Sequence, residues 1–244
     1  MRSTFAFIAA ALLFAAPVRA SNDLPDEDSV NHLSKKLEKM VDNDAARKKD
    51  YVFDPADLAE IARKGAGLPI EQAFDLVQHE LSSRYGDHIS TARHWIFNDA
   101  GTALGQLTLM HCSTKEYVIF FGSPLAINGF SGRYPMAEFF DFMLAGEMRT
   151  FSEGDLQPQV YPPGTYAHLE KSQGKGYSTT PGSWMLEYGR GNIISAFPFG
   201  VTGPARYITH DWKAAKDQIV DCGKLAIHEI FGSDSRQARE WDRE

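Results

Sequence analysis

The chain is poor in cysteine, with Cys112 and Cys222 the only two in 244 residues. One falls in a strand-like core segment and the other on a helix-like stretch far away, so no disulfide framework is expected. Positive charge is also scarce. Lys and Arg number 25 against 32 Asp and Glu, a net charge of −7. A nucleic-acid partner would want a basic face, and none is expected. Metal-binding patterns are missing too. His32, His79, His88, His94, His111, His168, His210 and His228 are scattered, without an H-E-x-x-H, an H-x-H or a C-x-x-C, so no metal site is expected. His111 reads as a strand histidine with a hydrogen-bond partner. A G-x-S-x-G elbow, a G-x-x-x-x-G-K loop and a dinucleotide fingerprint are all lacking, which removes the usual hydrolase and nucleotide chemistry.

A membrane-spanning apolar run is lacking at the N-terminus as well. Phe5 to Ala16 is apolar, but a bilayer needs about 20 such residues. With Arg2 before it and Pro17-Val18-Arg19-Ala20 behind, residues 1–20 read as an export signal, a short anchor being the alternative.

What is present begins with two acids in greasy surroundings. Asp141 lies within Met136 to Ala145, among Phe139, Phe140 and Phe142; Glu187 lies between Leu186 and Tyr188. Each is either at a wet edge or buried at a cost. A buried one needs a partner, or keeps its proton because desolvation raises its pKa. Such groups are candidates for proton transfer or for gripping a cation.

Residues 21–50 are polar, with Val30, Leu33, Leu37, Met40 and Val41 at helical spacing; they form an amphipathic helix or a disordered spacer. Asp54-Pro55-Ala56-Asp57 is a helix start, with Asp54 as N-cap and Pro55 in the first turn. Leu58, Ile61 and Ala62 form its buried stripe, and Gly65 or Gly67 stops it. A second helix follows Pro69, with Phe74, Val77 and Leu81 on one face, ending near Tyr85-Gly86. Strands come next. Leu107, Leu109 and His111 alternate with Gln106, Thr108 and Met110, and Tyr117, Ile119 and Phe121 share one face of Glu116–Phe121. Short segments at 157–161, 164–170 and 183–188 lie between Pro and Gly turns, a barrel or sandwich pattern. Ala137–Leu144 fits helix or strand; helix is preferred, with Gly146 as its cap. Ile193–Tyr207 is apolar but broken by Pro198, Gly200, Gly203 and Pro204. Thr209–Phe231 reads as a helix with Trp212, Ala215, Ile219, Cys222, Ala226 and Ile230 on one stripe, facing the core or a membrane surface.

The segment His111-Cys112-Ser113-Thr114-Lys115-Glu116-Tyr117-Val118-Ile119-Phe120-Phe121-Gly122, with Ser131-Gly132-Arg133-Tyr134 after it, resembles the fungal sterol C-8 isomerase and sigma-1 receptor family. Trp184-Met185-Leu186-Glu187-Tyr188-Gly189-Arg190-Gly191 is similar to that family's second signature. Tyr51-Val52-Phe53, Trp95-Ile96-Phe97 and Phe231-Gly232 match as well. The likeness runs from about Tyr51 to Gly232.

The resemblance implies a mainly β protein with flanking helices: a small cupin-like β-barrel closed by C-terminal helices, trimeric, membrane-associated and without metal or other cofactor. The barrel would occupy residues 51–205, with an amphipathic helix at 206–232 and a polar tail at 233–244. In that pattern Glu187 is the central anion, Asp141 the second carboxylate, and Tyr117 the hydrogen-bond donor to Glu187. Leu107, Leu109, Ile119 and Phe121 would wall the pocket, and Ile193, Ala196 and Phe197 would close it. Glu138 is the alternative second carboxylate. Cys112 stands where alanine is usual.

Two acids ~4 Å apart repel by about 4 kcal/mol at an effective dielectric of 20. One therefore stays protonated, and the pair titrates as a unit. Such a pair could shift a sterol double bond from C8=C9 to C7=C8, or hold the ammonium of a hydrophobic amine. The isomerase is the leading expectation, and a non-catalytic binder of sterols or amines the alternative. Ala103-Leu104-Gly105-Gln106, Phe197-Pro198-Phe199-Gly200 and His168-Leu169-Glu170-Lys171 look more like the enzyme branch. Export would place the protein in a periplasm if bacterial, or in the endoplasmic reticulum if eukaryotic.

Overall fold

The computed structural model describes residues 51–231; the readings of residues 1–20, 21–50 and 233–244 lie outside them. Helix α1, Pro55–Gly65, begins where the Asp54 side chain accepts from the Ala56 amide. It buries Leu58, Ala59, Ile61 and Ala62. Helix α2, Ile70–Tyr85, buries Phe74, Val77 and Leu81 on the face the sequence pattern names.

These two helices cover one side of a six-stranded antiparallel sheet. Its strands are β1 (Ile96–Ala100), β2 (Ala103–Cys112), β3 (Glu116–Ser123), β5 (Ala137–Ala145), β8 (Tyr166–Leu169) and β10 (Ser183–Gly191), in the order β1-β2-β3-β10-β5-β8. A second sheet of four strands holds β4 (Asn128–Phe130), β6 (Met148–Phe151), β7 (Gln159–Tyr161) and β9 (Gly176–Thr179), ordered β4-β9-β6-β7. The body is thus mainly β with flanking helices, as expected. Its strands pair as two separate antiparallel sheets, so the pairing does not describe the single closed barrel of the expectation.

Three expectations need correction. The first concerns Ala137–Leu144, which is strand β5 and not a helix. It sits between β10 and β8 with apolar side chains buried on both faces. A strand of that kind loses the polar–apolar alternation that would have identified it. Gly146, with φ of 71°, serves the turn into β6 rather than a helix end.

The second correction lies in β2. Its pairing with β3 shifts between Leu109 and His111, where Leu109 faces Ile119 and His111 faces Val118. Met110 is the extra residue of this bulge, which re-aims everything after it. His111 therefore leaves the face of Leu107 and Leu109 and packs edge-on against Phe53, among the helix-side residues. Its Nδ1 donates to the His88 carbonyl at 2.9 Å.

The third correction concerns the cysteines. Cys112, at the end of β2, and Cys222 are joined by a disulfide, with Cα atoms 5.1 Å apart across a sequence separation of 110. Cys222 lies on helix α4, Trp212–Phe231. Ala215, Cys222 and Ala226 of the predicted stripe are buried, whereas Trp212 and Ile230 are exposed. The broken apolar stretch before α4 is helical after all: a 3-10 turn at Ile193–Ala196, a π turn at Pro198–Thr202 and helix α3 at Gly203–Tyr207. No helix among the described residues is long and apolar enough to cross a membrane.

Candidate functional site

The side of the six-stranded sheet away from α1 and α2 is hollow. A cavity of about 190 Å³ lies there, bounded by both sheets and the C-terminal helical turns. From β2 and β3 come Leu107, Leu109, Ile119 and Phe121; from the turn after β10 come Ile193, Ala196 and Phe197. The second sheet adds Phe130, Met148, Thr150 and Tyr177. Strand alternation explains the division. Val118 and Phe120 point from β3 into the helix-side core, so Tyr117, Ile119 and Phe121 must point into the cavity.

Asp141 and Glu187 also line this space. They are partners in register on β5 and β10, directly opposite one another. Directly opposed residues on an antiparallel pair hold their Cβ atoms about 4.5–5.5 Å apart, so both carboxyls enter the same volume. Tyr117 donates its hydroxyl to Glu187 Oε1. Its ring crosses Gly189, its register partner, where an added Cβ would meet the ring at 2.5 Å. Glycine there is what lets the tyrosine lean over its neighbouring strand and reach the glutamate.

Burial drives the electrostatics. It pushes the Asp141 carboxyl well above the usual range, the negative charge of Glu187 adds to that, and Lys175 offsets part of it. Burial also raises Glu187, while the Tyr117 hydrogen bond pulls the other way. The proton of the pair therefore rests on Asp141 and the charge on Glu187, where a donor already stabilises it. Burial keeps the hydroxyls of Tyr117, Tyr134 and Tyr177 protonated, with the pair's charge reinforcing it.

Glu138 takes no part in this chamber. In a strand, a residue three positions from Asp141 points to the opposite face. There it meets Arg190 Nε at 2.8 Å and His168 Nε2 at 2.8 Å. Burial opposes its charge, but those two partners outweigh it and hold the carboxyl below the ordinary range. The alternative that Glu138 is the second carboxylate therefore fails, because β5 is a strand and Glu138 lies on its other face.

Sequence reasoning missed several residues that face the cavity, among them Tyr134, Lys175, Tyr177 and the Cys112–Cys222 bridge. Lys175 and Tyr177 lie in a Gly- and Ser-rich stretch that carries no periodic signal. No group of His, Cys, Asp and Glu among the described residues could hold a metal ion.

The family described as "ERG2 and Sigma1 receptor like protein" matches residues 30–230. The chain belongs to this family. It is 42% identical to a protein erg2 homolog of Dictyostelium discoideum over 60% of this chain and 63% of that one. It is 37% identical to the sigma non-opioid intracellular receptor 1 of Gallus gallus, over 63% of this chain and 69% of the receptor. With the C-8 sterol isomerase erg2 of Aspergillus fumigatus it shares 35% identity, over 64% and 67% respectively. The matched region thus spans less than two thirds of the Dictyostelium protein. Among solved structures, an RmlC-like cupin from Shewanella frigidimarina is similar at a TM-score of 0.34 and 11% identity, over 43% of this chain and 90% of that one.

Proposed function

We propose that this protein is a sterol C-8 isomerase-like enzyme that moves a ring double bond from C8=C9 to C7=C8. The reading is carried by one observation: two carboxyls directly opposed on β5 and β10 inside an apolar chamber. Asp141, holding the pair's proton, delivers it to C9 and leaves the positive charge on C8. Glu187, the charged partner, stabilises that carbocation and then accepts the proton lost from C7. The pair returns to its starting state when the proton passes from Glu187 back to Asp141. Tyr117 orients Glu187 throughout. The apolar walls formed by Leu107, Leu109, Ile119 and Phe121 hold the ring skeleton and exclude water, while Ile193, Ala196 and Phe197 cover it. No cofactor enters the scheme.

The test is incubation of the purified protein with a Δ8-sterol and chromatography of the products. A Δ7 product supports the proposal, and unchanged substrate overturns it.

A second reading has its own support, since a fixed carboxylate under an apolar wall also suits a preformed ammonium ion. The receptor relatives match the chain about as well as the fungal enzymes do. Under this reading the protein binds sterols or hydrophobic amines without turnover. Unchanged Δ8-sterol beside tight amine binding would favour it. Either function is assigned to the domain at 51–205 with the helical segment at 206–232 as its cover. We further place the protein as an exported trimer at a membrane surface; Trp212, Val220 and Ile230, exposed along α4, are apolar enough to contact one.

A further inference from the structure

Asn98 also faces the chamber, and neither the isomerase nor the receptor scheme uses it. It alternates on β1 with Ile96 and Ala100, on the face that Ile96 buries among the cavity-side residues. Its side-chain nitrogen carries two N–H groups, and both are committed to the protein. One donates to the Gly200 carbonyl at 2.8 Å and the other to Gln218 Oε1 at 3.2 Å. Gln218 is buried on α4, and its own amide is oriented by donating to the Phe97 carbonyl at 3.2 Å. The Asn98 amide therefore cannot turn over without losing two hydrogen bonds. Its Oδ1 accepts no hydrogen bond among the described residues, yet it is not sealed into the packing. Gly200 and Gln218, which hold the amide, line the same space. The chamber wall thus carries a fixed acceptor.

Strand register places this oxygen far from the acids. Phe97, Gln106, Gly122 and Trp184 form one row across β1, β2, β3 and β10. Asn98 lies one residue beyond that row, and Glu187 lies three residues from it on the other side. The two groups are therefore three strands and four residues apart, roughly 14 Å across and 13 Å along the sheet surface. Between them lies the apolar wall of Leu107, Leu109, Ile119 and Phe121. We infer that Asn98 is a specificity-determining residue that accepts a hydrogen bond from a ligand hydroxyl, at the end remote from the centre held by Glu187. An apolar group seated there would desolvate the oxygen without replacing its hydrogen bond. A sterol's ring hydroxyl and the terminal hydroxyl of an amino alcohol offer it the same donor. A neutral acceptor at this distance opposes neither a carbocation nor an ammonium at Glu187. The inference rests on the reading that the chamber is the ligand site, and it holds for an enzyme or a binder alike.

The experiment titrates two matched probe pairs into the full-length protein. One pair is a 3β-hydroxy-Δ8-sterol and its 3β-fluoro analogue; the other is 12-dimethylaminododecan-1-ol and its terminal fluoride. Fluorine keeps the size of the hydroxyl and removes the donor. The parent protein is expected to bind the hydroxyl member of at least one pair about three- to tenfold tighter than the fluoride. The pair that responds identifies the source of the donor. Asn98→Leu should bind the two members of that pair alike. Gln218→Met, which leaves Asn98 in place but removes the acceptor that orients it, should show a smaller preference than the parent. A merely structural role for Asn98 would weaken both members in parallel and leave their ratio unchanged. Equal binding of hydroxyl and fluoride by the parent in both pairs, a comparison that needs no variant, overturns the inference while leaving the chamber reading intact. So does a preference that survives Asn98→Leu. If the parent binds none of the four probes, the chamber reading falls and the inference with it.

Discussion

The six-stranded sheet buries acids on both faces, and the two sides treat them in opposite ways. On the helix side Glu116 is 2% exposed. It accepts from the Val52 amide at 2.8 Å, the Phe53 amide at 3.4 Å and the Tyr188 hydroxyl at 2.9 Å. Glu138, on the same side, is paired with Arg190 and His168. On the cavity side Glu187 has the Tyr117 hydroxyl as its hydrogen-bond partner, and Asp141 faces Glu187 across the strand pair. Saturating a buried carboxylate with donors makes it a structural joint. Leaving it under-supplied keeps a proton mobile, at a cost in stability.

The largest effect that could break this comparison is on chemistry. Glu187→Gln should lower turnover by about 10²–10⁴-fold and abolish amine binding. Retained amine affinity in an isothermal titration would remove Glu187 from its role. Asp141→Asn should be equally inactive on Δ8-sterol.

Next in size is stability. Glu116→Ala strands a buried amide, a half-buried amide and a buried hydroxyl, and should cost about 2–4 kcal/mol in urea unfolding. The folded fraction should keep its activity. Activity lost without destabilisation would mean the helix-side acid is not merely structural.

A smaller effect separates the partners of Glu187. Tyr117→Phe should cut turnover by about tenfold, because it removes one positioned hydrogen bond of roughly 1–1.5 kcal/mol. The pH profile adds a check with a defined sign. Asp141 must be protonated and Glu187 charged, and Asp141 is held the higher of the two. Turnover should therefore fall on the alkaline side as the pair loses its last proton, and on the acid side as Glu187 gains one. A profile flat on its alkaline side would contradict the assignment of Asp141 as donor.

The smallest predicted effect has the most telling direction. Both carboxyls bind protons more tightly in the folded chain than in the unfolded one, so their contribution to stability is lost as pH rises through their raised values. Asp141→Asn relieves that cost and should raise the melting temperature at neutral pH by about 2–4 °C. Replacing Glu116 by Gln should lower it. Two substitutions that exchange a carboxyl for an amide on one sheet would then move stability in opposite directions.

Much of the chamber could be read from sequence because reading Glu116–Phe121 as a strand fixes which residues share a face, even though β3, like β5, is buried on both. Tyr117, Ile119 and Phe121 declare one face, and Asp54-Pro55 declares a helix start. Strand β5 hid itself because Phe139, Phe140, Phe142, Met143 and Leu144 are buried on both faces, so neither period stands out. The bulge at Met110 has no local signature, and it turned His111 to the wrong side. The bond between Cys112 and Cys222 was invisible for a different reason: residues 110 apart meet only once the last helix lies against β2. The short strands β4, β6 and β9 fall among turns, and the residues they bring to the cavity, Phe130, Thr150 and Tyr177, went unnoticed for that reason.

That cystine also makes the two edges of the enclosure unequal. The closing helix is stitched to β2 at Cys222, so that corner of the wall cannot part without breaking a covalent bond. Pro198–Thr202 carries no such tie, and its side chains are only partly covered. One edge of the chamber is thus held by a covalent bond and the other by a half-buried π turn.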